Sequence, residues 1–165
     1  MLASARLDVI VMPKNVDAVP SDHDVEAFLR NLEESGMITK EGNAGPNGTR
    51  VFRGGFARLN VLHAEHPRFV ANQQGGFRVF CNGKIVTGPF VRAMTNWRQG
   101  GARVLTCPYC EVEHDLASLE FRPPAGFYRF AFEFTDVGTF QIEKSILEIL
   151  ENCVGPYEMV FRRIG

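Results

Sequence analysis

Cys107-Pro108-Tyr109-Cys110 is the stretch of this 165-residue chain whose residue types and spacing most plainly carry chemistry. A Cys-x-x-Cys turn aims two thiolates at one metal ion. Alternatively it presents a dithiol whose first cysteine, placed at a helix N-terminus, loses its proton easily. Two further donors flank the pair. Cys81 opens the string Cys81-Asn82-Gly83, and His114 stands four residues after Cys110. A helix over Glu111 to Leu119 would put Cys110 and His114 on one face. Three cysteines and one histidine form a closed tetrahedral set, which suits a structural ion and leaves no position for a reactive water.

CPYC resembles the active-site motif of glutaredoxins. In that family the motif stands early in the domain and is followed by a Thr-Val-Pro turn and, later, a Gly-Gly pair. Here only 55 residues follow Cys110, and neither feature is among them. The segment is also similar to a zinc ribbon, in which two Cys-x-x-Cys knuckles lie roughly 10–30 residues apart. Cys81 resembles the second half of a first knuckle. The position three before it holds Arg78, a cation that cannot ligate. The ribbon resemblance therefore implies zinc on Cys81, Cys107 and Cys110, with His114 in the missing cysteine's place.

Other candidates are thinner. His63-Ala64-Glu65-His66 is a short cluster without further acids, readable as a metal site or as a strand edge. Cys153 falls on an apolar stripe, as a core thiol would. No Gly-x-Ser-x-Gly, phosphate-binding glycine–lysine loop or His-Glu-x-x-His occurs. No catalytic residue is assigned, and the chain is expected not to be an enzyme.

Charge is segregated. Residues 1–49 carry four basic and eight acidic groups, and residues 104–158 carry three and ten. Residues 50–103 carry nine basic groups against Glu65 alone, and eight of the nine are arginine. Arginine favours bidentate contact with carboxylate or phosphate. These cations either pair with the acidic flanks or form a face for an acidic partner. The residues assigned to such a face are Arg50, Arg53, Arg92, Arg98 and Arg103, with Trp97, the single tryptophan, as an aromatic neighbour. Trp97 reads equally as a core anchor, since Phe90, Met94 and Trp97 form an i, i+4, i+7 stripe in a helix predicted over Pro89 to Gln99.

The elements that must hold these residues repeat at the two ends of the chain. Leu7 to Met12 reads as a buried strand. Ser21 reads as a helix cap, with Val25, Phe28, Leu29 and Leu32 as the buried stripe and Gly36 beyond its end. Phe56 to Leu62 reads as a second strand. Later, Tyr128, Phe130, Phe132 and Phe134 alternate along a strand. A helix capped by Asp136 or Thr139 follows, with Ile142, Ile146, Ile149, Leu150 and Cys153 inward, and then a strand over Tyr157 to Ile164. Two strand–helix–strand units predict an α+β fold, a ferredoxin-like split βαβ sheet with both helices on one face. The expected divisions are 1–63, an inserted ribbon over 64–126, and 127–165, within one compact domain. Glu41 to Gly55 is read as a mobile polar loop.

The 45% apolar and 22% charged composition is that of a folded chain, which excludes whole-chain disorder. No apolar run approaches the ~20 residues of a membrane span. Met1 to Arg6 has no cationic start before an apolar stretch, so no signal peptide is expected. Four cysteines suit reduced thiols and a cytoplasmic location. Among partners, a protein comes first: the chain resembles, in general character, the small immunity proteins that block bacterial toxins. Nucleic acid, bound through the basic ribbon, is the alternative, and a thiol redox enzyme using CPYC the third.

Overall fold

The computed structural model describes residues 6–72 and 76–164. The signal-peptide reading of Met1 to Ala5 lies outside the described residues. In chain order the elements are β1 (Arg6–Pro13), α1 (Asp22–Glu34), β2 (Arg58–Val70), β3 (Arg78–Cys81), β4 (Lys84–Ile85) and α2 (Thr87–Arg98). There follow β5 (Val104–Thr106), β6 (Glu113–Asp115), β7 (Glu120–Arg122), β8 (Gly126–Thr135), α3 (Lys144–Val154) and β9 (Tyr157–Ile164). The fold is α+β, as expected. The four long strands form one antiparallel sheet in the order β2-β8-β1-β9, which is compatible with the ferredoxin-like arrangement.

Local chemistry explains the two long helices. Ser21 Oγ accepts the Asp24 N–H at 3.1 Å and caps α1, whose Val25, Phe28 and Leu32 are buried. Gly36, at φ +72°, takes the left-handed turn beyond its end. Both α1 and α3 pack on one face of the sheet. Phe28 meets Phe132 at 4.6 Å between centroids, and Ile146, Leu150 and Cys153 enter the same core as Val9, Val11, Phe130 and Phe134. Phe130 is fully buried, so Phe130→Ala is expected to cost about 3–5 kcal/mol, read by urea unfolding. The helix α3 begins later than expected. Its cap residue is Glu143, without a side-chain bond. Thr139 instead donates from Oγ1 to the Arg53 carbonyl at 2.7 Å and accepts the Gln141 N–H at 3.3 Å.

Three further expectations change. The segment Glu41 to Gly55 is not a free polar loop. Val51 and Phe52 are fully buried, Phe52 stacks edge-on against Phe134 at 5.0 Å, and Phe52 bridges to Ile142. Two apolar anchors hold this glycine-rich stretch, with Gly48 buried and Ala44 packed against the same core. Tyr128 does not share a face with the three phenylalanines. The β2–β8 register slips between His63 and Arg68, which breaks the alternation, and Tyr128 packs with Ile10, Met12 and Ala131 on the opposite face. Finally, β2 runs on past residue 63 to Val70, which pairs with Gly126. The inserted segment therefore leaves and returns at neighbouring strand ends.

That face opposite the helices carries a polar network. Asp8 is buried, and its carboxylate takes Arg6 Nε at 3.1 Å, Arg162 Nη2 at 3.1 Å and the Asp136 N–H at 3.1 Å. Arg162 also meets Glu133 at 2.6 Å, and Glu133 accepts from Asn60 at 2.9 Å. The insertion has its own apolar core, built from Val79, Val86, Phe90, Met94, Leu105, Leu116 and Phe121, and Phe127 of β8 joins it to the main sheet.

Candidate metal centre

Two hairpins bring the sulfur and nitrogen donors together. The first is β3–β4, closed by Asn82 at φ 48° and Gly83 at φ 80°, the pair that a tight two-residue hairpin turn favours. It places Cys81 at the hairpin end. The second is β5–β6, whose turn is CPYC itself. There Cys107 N–H donates to the Val112 carbonyl at 3.0 Å, and Glu111 N–H to the Cys107 carbonyl at 2.9 Å. Glu111 sits at φ 60°, a left-handed position that glycine would occupy with less strain.

A helix over Glu111 to Leu119, the condition for Cys110 and His114 to share a helical face, does not form. Glu113–Asp115 is strand, with His114 opposite Leu105, and Leu116–Ser118 is a short 3-10 turn begun by the Asp115 carboxylate, which accepts the Ala117 N–H at 2.9 Å. His114 thus reaches the site by crossing a hairpin, not by following a helical face.

Cys81, Cys110 and His114 form a compact group, with all three donor atoms within 4.8 Å of one another. The Cys81 and Cys110 sulfurs lie 3.8 Å apart, and His114 Nε2 lies 3.3 Å from the first and 3.5 Å from the second. Bond lengths of ~2.3 Å to sulfur and ~2.0–2.1 Å to nitrogen, at tetrahedral angles, give edges of about 3.8 Å and about 3.6 Å. The observed edges match that figure. Cys107 is not one of the three. Its sulfur accepts the N–H groups of Tyr109 at 3.4 Å and Cys110 at 3.5 Å.

Those contacts set the thiol acidities. Burial, then hydrogen bonds from Cys107 and Cys110, push the Cys81 thiol up to about 12. The Cys110 N–H, followed by that of Tyr109, pulls Cys107 down to about 7 against the opposing effect of burial. The donors that lower Cys107 come from a hairpin turn, and Cys107 itself is buried. Cys153 is remote from this group and lies in the main core, where burial, then Asp24, raises its thiol to about 11.

The other candidates are dispersed. His63 rests edge-on against Phe130 at 5.1 Å, away from any donor cluster found among the described residues. Arg103 is taken up within the molecule: it clasps the Asp115 carboxylate at 3.0 and 3.1 Å and reaches Asp17 at 3.8 Å. It is the one cation of residues 50–103 in an ion pair among the described residues. Arg50, Arg53, Arg92 and Arg98 are exposed. Trp97 is half-buried, fixed edge-to-face on Phe127 at 5.6 Å. Arg98 and Trp97 line one side of a cleft that also contains His66, Arg68 and Phe69. Arg68 had no signal in the sequence, since only folding brings β2 beside α2.

Apolar exposure gathers near the donor group. Ile85, Tyr109 and Val112 are exposed by 53%, 62% and 53%. The two hairpin ends adjoin, and the Lys84 ammonium lies 6.0 Å from the Tyr109 ring centroid. No family model, curated protein or solved structure matches the chain. The site must be read from its own geometry. Among the described residues, no helix is long and apolar enough to cross a membrane.

Proposed function

We propose that this chain is a non-catalytic, cytoplasmic binding protein whose Cys81, Cys107, Cys110 and His114 hold one structural zinc ion. The observation that carries the metal is the set of donor separations at Cys81, Cys110 and His114, which lie within about 0.3 Å of the edges of a tetrahedron around one ion. Cys107 supplies the fourth ligand, its sulfur already supported by two backbone N–H groups. Four protein ligands close the coordination sphere, so the ion staples two hairpins and activates no water. The hairpin ends then present Ile85, Tyr109 and Val112 as a rigid apolar patch. Exposed aromatic and aliphatic groups held in place at low entropic cost are the usual anchors of a protein–protein interface. This reading takes the partner to be a protein, held one-to-one as immunity proteins hold toxins.

Elemental analysis of protein never exposed to chelator is expected to give about one zinc per chain, and none would overturn the metal. Because thiolate and neutral imidazole are the binding forms, acidification protonates the ligands and releases the ion. For the partner, Ile85→Ser with Tyr109→Ser is expected to abolish capture of the native partner at moderate salt while zinc content stays unchanged. Undiminished capture by that variant would remove the patch from the interface.

A further inference from the structure

The cleft between β2 and α2 has a chemistry distinct from the apolar hairpin ends. Its volume is about 590 Å³, within the range of small-molecule sites and far larger than a lone inorganic anion fills. Arg68 enters from β2 and Arg98 from the last turn of α2, and among the described residues no carboxylate lines the walls. Neither arginine makes an ion pair among the described residues. A larger hollow beside Arg53 and Lys144 differs in this respect, since Glu143 lines it and opposes an anion.

The aromatic walls are fixed before any ligand arrives. Phe69 packs on Phe77, Phe90, Phe121 and Phe127 at 5.0–5.7 Å. Trp97 is held on Phe127. Near the end of α2, Thr95 and Asn96 both accept from Gln99 at 3.2 Å, Asn96 also accepts from Gly101 at 2.9 Å, and Trp97 accepts from Gly100 at 3.0 Å. Three of the last carbonyls of the helix are thus taken up by backbone N–H groups, which leaves the Arg98 side chain as the charge offered at that end.

We infer that this cleft binds a nucleotide unit, its base against Trp97 and Phe69 and its phosphate between Arg68 and Arg98. Planar rings accept any base by stacking, and two guanidinium forks accept phosphate oxygens. His66 stands beside them as a further polar group. The same chemistry is offered by a free nucleotide and by a single strand of nucleic acid. The inference goes beyond the protein-docking reading and uses a different wall of the insertion.

Trp97 is the single tryptophan, so its emission reports on this cleft directly. The intact protein is titrated with adenosine monophosphate, adenosine, inorganic phosphate and a short single-stranded oligoadenylate. The monophosphate is expected to quench Trp97 with a dissociation constant on the order of 0.1 mM or tighter. Adenosine and phosphate each bind at least about tenfold more weakly. Arg68→Ala and Arg98→Ala each lower affinity by about tenfold. Each also reduces the salt slope for the oligonucleotide by about 0.7. Arg92→Ala, on the same helix but outside the cleft, and Tyr109→Ser leave binding unchanged. Trp97→Leu, followed by anisotropy of a labelled oligoadenylate, weakens it by about tenfold. An oligonucleotide much tighter than the monophosphate assigns the ligand to a single strand, and equal affinity assigns it to a free nucleotide; either supports the inference. Unchanged emission with every probe, phosphate binding as tightly as the nucleotide, or unaltered affinity in both arginine variants overturns it and leaves the protein-docking reading intact.

Discussion

Chelating the metal from the purified chain, or replacing Cys81 with serine, is expected to lower the thermal midpoint by about 10 °C and to loosen residues 76–125 selectively. Cys81 joins two hairpins that share few other ties at that end. Its sulfur lies 3.8 Å from Cys110 and 3.3 Å from His114, which belong to the second hairpin. In small zinc modules the ion supplies about 10–16 kcal/mol of apparent binding free energy at pH 7. The insertion also has an apolar core of its own, with Phe90 and Leu116 buried, so part of that contribution is replaceable. Loss of a third of it, at ~2–4 °C per kcal/mol for a chain of this size, gives the stated shift. Hydrogen exchange should locate it: protection falls in β3 to β7 and persists in β1, β8 and β9. A chelated protein with an unchanged midpoint and uniform protection would show that the thiols and imidazole hold nothing that matters to folding.

Asp8→Ala is expected to destabilise the main sheet by about 3–5 kcal/mol, the cost of breaking a buried ion pair from one side. Asp8 is fully buried and lies opposite Arg162 in the β1–β9 register. Its loss leaves Arg162 with Glu133 as its remaining carboxylate and the Asp136 N–H without its acceptor. The effect spreads, because Arg162 also holds Glu133, which in turn holds Asn60 on the far strand. Replacing both members, as in Asp8→Leu with Arg162→Met, should recover only part of the loss: apolar pairs of similar volume substitute well for buried charges, but Glu133 then loses its cation. Urea unfolding of the single and double variants measures this. A single variant within about 0.5 kcal/mol of the parent, the scatter of surface changes, would mean that solvent reaches the pair.

The two outer units were legible because their signals are local. Ser21 caps α1 through the next turn, and the Val25, Phe28, Leu32 stripe needs only its own helix to be recognised. The donor set was legible for a different reason: cysteines are scarce, and a Cys-x-x-Cys turn has few uses. The route to His114 was not, because Glu111 to Leu119 has helix-forming composition and only its pairing with Leu105 makes it strand. The Asn82-Gly83 pair was available as a hairpin signal and places Cys81 correctly. Asp8 looked incidental within an apolar run, since Arg162 lies at the opposite end of the chain. The cleft was half legible: Trp97 and Arg98 stood out, whereas Arg68 joins them through a strand extension past a register slip.

Val70 and Gly126 face each other in the ladder, although the whole insertion separates them along the chain. Closing so long a gap from an unfolded state carries an entropy cost that rises with its length. If residues 71–125 organise first, the two ends meet already juxtaposed, and β8 docks on β2 as though joined by a tight turn. If the proposed zinc organises that segment, metal uptake sets the pace at which the larger sheet assembles, even where the final structure of that sheet does not depend on it.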